Sequence, residues 1–387
     1  MQRWNLDVAS GWPIRPVAAA AHADALRICD GDPERSHTAG RQARSLLDAA
    51  TATVTHLLGA ASNDLIWTSG GTEAIDLAVA GPVRAMRDRG GHRRGLVVSA
   101  VEHSAVLTAA RRLADDGLVD LTIIGVDQAG VVNLDAMINA IDERTVAVHL
   151  QHANHEVGTL QPTHEVSRRC RSVDALLHVD ACQTVGQVGV TLSQLGADLL
   201  SFSSAKHGGL RGVGGLALGP RARLSPQLLG DDRQRGRRAG SLSVAAIAAS
   251  AVALDEAVAT MDTDRSQREL VRRHLRTQIA AIDDVALHGP LAEAHPGIVA
   301  ASALYVAGDA LVARLDGRGW EVASGSSCAV RSGTASHVLV AMRALTHGHV
   351  RASFGPDIDI PTADAFVADL TEVIAELRAD GRTSSTT

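Results

Sequence analysis

Between residues 65 and 218 the chain alternates short apolar, β-branched runs with amphipathic stretches, and this alternation restricts the fold more than any other feature. The runs read LIWTSG, LVVSA, DLTIIGV, TVAVHL, LLHVDA and LLSFSSA, and helical periodicity starts near Thr72, His103, Leu134 and Thr163. Strands separated by helices of this length form βαβ units, whose crossovers force neighbouring strands to run parallel. The expected fold is α/β with a mainly parallel sheet, and ligands on such sheets bind beyond the carboxyl ends of the strands. A long helical stretch from Val244 to about Ile282 follows. After it comes a second mixed region with ALYVAG, helices from Asp309 and near Val338, VRASFG and a last helix from Thr362. We expect a large domain over residues 13–258, a smaller α+β domain from residues 1–12 and 259–377, and a disordered tail over 378–387, where the sequence is small and polar.

The length of 387 residues suits two domains with real cores. A formal charge of −6 with 21% charged residues gives no basic footprint for nucleic acid. The N-terminus has no apolar run behind a basic start, so neither a signal peptide nor a membrane anchor is expected, and the predicted location is the cytoplasm. The most apolar stretch, Val244 to Leu254, is Ala-rich, too short to span a bilayer, and better read as a buried helix. Cys29, Cys170, Cys182 and Cys328 lie far apart with no CxxC pair, which points to reduced thiols. His149, His152, His155 and His164 superficially suggest a metal cluster, but no acidic partner is well spaced, and we predict no metal site.

Among the 37 Lys and Arg residues, Lys206 is the only lysine. An arginine guanidinium cannot supply a free amine for a Schiff base, whereas a lysine can. Lys206 follows the run LLSFSSA and precedes the glycine-rich HGGLRGVGG. One strand earlier, LLHVDA ends on Asp180, with Gln183 on the following turn. A carboxylate there can keep a pyridine nitrogen protonated, and the amide can reach a ring oxygen. Earlier still, Gly71 and Thr72 stand between a strand and a helix, where backbone N–H groups receive phosphate. Together these positions describe a pyridoxal-phosphate (PLP) site. Ser203 and Lys206 also fit S-x-x-K, but the acylase reading needs a K-T-G partner that a chain with one lysine lacks. His103 is a candidate for ring stacking and proton transfer, or a plain helix-start histidine. Cys328, in ASGSSCAV, has the small neighbours a reactive thiol needs, or is a silent surface cysteine. Arg351, in VRASFG, can hold a carboxylate through two parallel bonds, or serve as a salt-bridge arginine.

With TSGGTEAIDLA, VEHSAVL, NHEVGTLQP, LHVDACQTVG, SFSSAKHGG, RAGSLSV, ASGSSC and VRASFG in view, the chain resembles the cysteine desulfurases of the class V aminotransferase superfamily, the NifS and IscS branch, from about Leu6 to Ile374. The resemblance implies the PLP-dependent transferase fold of type I, with a seven-stranded sheet in the large domain. It implies that Lys206 carries PLP and takes the substrate Cα proton, with Asp180 at the pyridine nitrogen, Gln183 at the ring oxygen and His103 on the ring. Gly71, Thr72 and Ser203 would hold the phosphate, and Ser241 would reach the phosphate of the neighbouring subunit in a homodimer. Cys328 would accept sulfur from L-cysteine as a persulfide, Arg351 would bind the substrate carboxylate, and a sulfur-acceptor protein, for example in iron-sulfur cluster assembly, would follow. The sequence departs from the pattern at three places: Gly11 and Trp12 replace two threonines, His155 replaces an asparagine beside ring and substrate, and Ala205 replaces a phosphate-binding histidine. Two other functions fit the same motifs: a PLP-dependent C–S or C–Se lyase on another cysteine-derived substrate, and a non-catalytic homologue that binds a sulfur carrier.

Overall fold

A computed structural model describes residues 2–324 and 335–384, with side chains described up to residue 380. Cys328 lies outside the described residues. Among the described residues, twelve strands run in chain order: β1 (Trp4–Asn5), β2 (Leu65–Thr68), β3 (Gly95–Ser99), β4 (Asp120–Ile124), β5 (Thr145–His149), β6 (Leu176–Asp180), β7 (Leu199–Ser203), β8 (Gly214–Leu218), β9 (Val285–His288), β10 (Ile298–Ala303), β11 (Trp320–Glu321) and β12 (His349–Ser353). Seven of them form one sheet in the order β2-β8-β7-β6-β5-β3-β4. The pairs from β7 to β4 are parallel, and β8 runs antiparallel to both β7 and β2. Helices cover both faces, so β2, β5 and β8 are buried along their whole length, as unbroken apolar runs require. The edge strand β4 is largely exposed and starts on Asp120, a charge that blunts edge pairing.

The second region holds an antiparallel sheet, β12-β10-β9, and the short parallel pair β1-β11. Its core contains Leu6, Val271, Leu275, Leu315, Phe354 and Phe366, whereas Val54, Leu177, Phe202, Ile247 and Leu254 belong to the core of the seven-stranded sheet. The helix Val244–Ile279 therefore serves both cores, its first half on the large sheet and its second half on the small one. It is one continuous helix, close in extent to the helical stretch expected from Val244 to about Ile282. By length and composition alone it could cross a membrane, but 56% of its most apolar window is buried inside the protein. The N-terminal segment joins the second core through Leu6, and the Ser353 hydroxyl of β12 accepts the Ala9 N–H at 2.9 Å and donates to the Leu6 carbonyl at 3.5 Å.

Two expectations need correction. The last helix runs Ile360–Ser384, past residue 378 where the disordered tail was placed; AELRA carries it to residue 379, and nothing in DGRTS explains the remaining turn. Strand β9 and the pair β1-β11 were not anticipated; they are only two to four residues long, too short for a periodic signal.

Candidate active site

The carboxyl ends of β6 and β7 lie side by side, with Asp180 opposite Ser201 in the parallel register. Beyond β7 the chain makes a 3₁₀ turn, Ser204–Lys206, that ends on the lysine. The Lys206 Nζ donates to the Ala9 carbonyl, and the Gln183 Nε2 donates to the same oxygen at 3.0 Å. Burial pulls the Lys206 amine down from 10.5 to about 8, so much of it is unprotonated in mildly alkaline solution and able to act as a nucleophile or base.

Asp180 is buried and its Oδ1 accepts from the Cys182 N–H at 3.0 Å and from the Ser201 hydroxyl at 3.2 Å. His103 caps the helix Ser104–Asp115, its Nδ1 accepting the Ala105 N–H at 3.1 Å, so the proton of the neutral ring sits on Nε2. Burial lowers its pKa, opposed by the nearby Asp180 charge. The His155 ring meets His103 edge-on, with centroids 5.3 Å apart. Burial and then His103 hold His155 well below the ordinary imidazole range.

On the opposite side, Arg351 of β12 is buried and donates through Nη1 to the His155 carbonyl at 2.8 Å and through Nη2 to Asp7 and to the Ser10 hydroxyl. Its Nε has no partner among the described residues.

The phosphate end is built from close backbone approach. The helix Gly71–Asp88 starts behind Gly70 without a side-chain cap, so its first N–H groups stay available to an anion. A Cβ on Gly71 would come within 2.7 Å of the Cys182 Sγ and 3.2 Å of the Ser203 Cβ, which places Gly71 and Ser203 against one another. Thr72 is exposed at the same helix start, and Ser241 is exposed in the loop leading to the helix Val244–Ile279.

The structure thus groups Lys206 with Gln183, Asp180 with its strand neighbour, His103 with His155, and Arg351 with the His155 backbone. Sequence reasoning did not single out Ala9, Asp7, Ser201 or Glu102. Glu102 is buried, its Oε1 accepts the Gln151 N–H at 2.8 Å, and burial pushes its carboxyl up to about 8. Two of the departures from pattern meet each other: the Trp12 N–H donates to the Ala205 carbonyl at 2.8 Å, and the Trp12 ring carries the Arg268 guanidinium 5.5 Å from its centroid.

The aminotransferase class-V family profile matches residues 16–366. This chain belongs to the class-V aminotransferase family. It is 34% identical over 354 residues to the cysteine desulfurase IscS of Dictyoglomus turgidum, covering 90% of this chain and 89% of that one. It is also 34% identical over 358 residues to the IscS of Pectobacterium atrosepticum, covering 90% and 87%. A solved NifS-like protein superimposes with a TM-score of 0.89 at 27% identity, over 97% of this chain and all of that one. The family is PLP-dependent, and the residues of this class-V chain suit the group. The buried Gln183 Oε1 has no partner among the described residues, the uncapped glycine turn suits a phosphate, and the one lysine of the sequence shares the Ala9 carbonyl with Gln183. Lys206, Asp180 and Gln183 would hold the ring, with Gly71, Thr72 and Ser203 at the phosphate.

Proposed function

We propose that this chain is a cysteine desulfurase that moves sulfur from L-cysteine onto Cys328 as a persulfide and releases L-alanine. It would act in the cytoplasm as a homodimer, with the exposed Ser241 reaching the phosphate of the neighbouring subunit, and would pass the sulfur to a protein acceptor, such as one in iron-sulfur cluster assembly. The observation that carries this reading is the half-buried, weakly basic Lys206, the sole ε-amine of the chain, on the turn just beyond the strand β7 that pairs with the strand of Asp180.

PLP, when bound, supplies an aldehyde for the substrate amine and a ring that withdraws the electrons left at Cα. The chain's own residues divide the remaining work. Lys206, neutral in a large fraction near pH 8, takes the Cα proton. His103, with its proton fixed on Nε2, moves protons on the substrate side. Arg351 orients the substrate carboxylate, its Nε being the donor left unpaired. The Cys328 thiolate attacks the substrate sulfur: an S–S bond forms, the C–S bond breaks, and its electron pair stays on carbon and is protonated to give alanine. Atoms and electrons balance between one thiol and one cysteine, without an external oxidant.

The test is L-cysteine-dependent formation of alanine and, with dithiothreitol present to reduce the persulfide, of sulfide by the PLP-loaded protein, beside Lys206→Ala and Cys328→Ala. Activity in the wild type and loss in both variants supports the proposal. Retained turnover in Cys328→Ala would convert the assignment to a lyase that expels its leaving group directly, and PLP binding without any response to cysteine would remove the substrate.

A further inference from the structure

Behind Asp180 lies a buried row of polar side chains that the proposed chemistry does not use. The His149 Nδ1 is 3.0 Å from the His178 Nδ1, the His178 Nε2 is 3.0 Å from the Ser201 Oγ, and the Ser201 hydroxyl reaches the Asp180 Oδ1 at 3.2 Å. The two imidazoles stand opposite each other in the β5–β6 register, with ring centroids 5.2 Å apart. His149, His178 and Ser201 are all fully buried.

Hydrogen-bond accounting fixes where every proton in this row lies. Asp180 Oδ1 already accepts the Cys182 N–H, and a carboxylate oxygen facing the Ser201 hydroxyl requires the hydroxyl proton to point at it. The Ser201 oxygen is then left to accept, so His178 carries its proton on Nε2 and presents a bare Nδ1. That bare nitrogen accepts from His149, whose proton is on Nδ1. The row ends at the His149 Nε2, a bare nitrogen with no partner among the described residues. The reverse order would bury an orphaned N–H at this end and set lone pair against lone pair between Ser201 and Asp180, both costly in a dry interior. Burial keeps both rings neutral: it lowers His149 to about 3 and His178 well below the ordinary range.

We propose that His149, His178 and Ser201 form a one-way donor relay that makes Asp180 Oδ1 a pure acceptor, so that the proton shared with a bound cofactor's ring nitrogen rests on the nitrogen. The inference rests on the proposed placement of Asp180 at that nitrogen. These three are positioning residues: each acts through the next, and none touches the cofactor or substrate. The other ionisable groups around Asp180 are Glu102 and His103, just before the helix Ser104–Asp115, and the Cys182 thiol, which burial keeps protonated and which contacts both Asp180 and Ser201.

Two NMR readouts test this. In the unloaded wild-type protein, ¹⁵N-histidine spectra should show His178 as the Nε2–H tautomer and His149 as the Nδ1–H tautomer, both neutral at pH 7. An imidazolium at either residue, or Nδ1–H on His178, overturns the relay. In protein loaded with PLP labelled with ¹⁵N in the ring, the nitrogen should be protonated in the wild type and in His178→Gln, whose amide can still donate to Ser201. In Ser201→Ala it should shift toward the neutral pyridine value, because a hydrogen bond to a charged acceptor is worth roughly 10- to 100-fold in such an equilibrium. An unchanged ring shift in a folded Ser201→Ala overturns the relay. Failure of the wild type to bind labelled PLP would instead count against the proposed function, while the tautomers still decide the relay.

Discussion

The two walls of the site are built by different physics. The cofactor wall comes from adjacent strands of one sheet, and behind its Asp180 carboxylate the buried imidazoles are neutral: burial lowers His149 to about 3 and His178 well below the ordinary range. The substrate wall is gathered from residues 7–10, 155–156 and 351, and it is charged. Arg351 is almost wholly buried there, with Asp7 as its ion-pair partner. A neutral hydrogen-bonded wall stays in register across a wide pH range, whereas a wall that rests on one buried ion pair responds to any change in its counter-charge. The cofactor wall thus lies along the sheet, and the charged wall lies where the segment after β5 meets β12 and the N-terminal segment.

The strongest test of the cofactor wall is Lys206→Ala, which should reduce alanine formation from L-cysteine by ~10³-fold or more while leaving the fold intact, since nucleophile and base are lost together. Residual activity near wild type would mean that the wall has been assigned to the wrong amine. The substrate wall should break at Asp7→Ala. Removing the carboxylate strands the Arg351 guanidinium and should cost about 3 kcal/mol in urea unfolding, together with a higher KM for cysteine. A cost below ~0.5 kcal/mol would show that the guanidinium finds another partner.

The same contrast has a pH signature. The unfolded Lys206 amine titrates near 10.5 and the folded one near 8. Between those values the unfolded chain binds more protons, so the lysine's contribution to stability rises with pH over that window and is least favourable below it. Stability of the unloaded wild type relative to Lys206→Met should therefore rise by about 3 kcal/mol from pH 8 to 10.5. Glu102 has the opposite sign: its folded carboxyl titrates near 8 rather than 4.5, so its contribution is lost as pH climbs from 4.5 to 8, and Glu102→Gln should remove that limb. Parallel denaturation series would reveal either sign. The smallest effect is expected at His155→Asn. It removes the edge contact with His103 and should slow turnover by ~2- to 10-fold, with PLP affinity unchanged. A change in PLP affinity would move His155 to the cofactor wall.

Much of this was legible in the sequence because the signals were local. The six runs from LIWTSG to LLSFSSA announced the central sheet, a lysine alone among arginines marked its own position, and Asp180 stood at a strand end where such sheets bind ligands. What escaped detection depends on contacts far apart in the chain. Ala9 offers only a backbone carbonyl to a lysine 197 positions later, and Asp7 meets Arg351 across 344. His149 and His178 look like two histidines on separate strands until the β5–β6 register sets them face to face. Trp12 and Ala205 are joined by a main-chain bond across 193 positions, which no local pattern announces.

The buried 3₁₀ turn that ends on Lys206 has a practical corollary. A protease that cuts only after lysine has a single target bond in this polypeptide, and in the native protein that bond is packed inside the site. Cleavage into two pieces, residues 1–206 and 207–387, would therefore report opening of the active centre itself, with no other lysine site in the sequence to confuse the count.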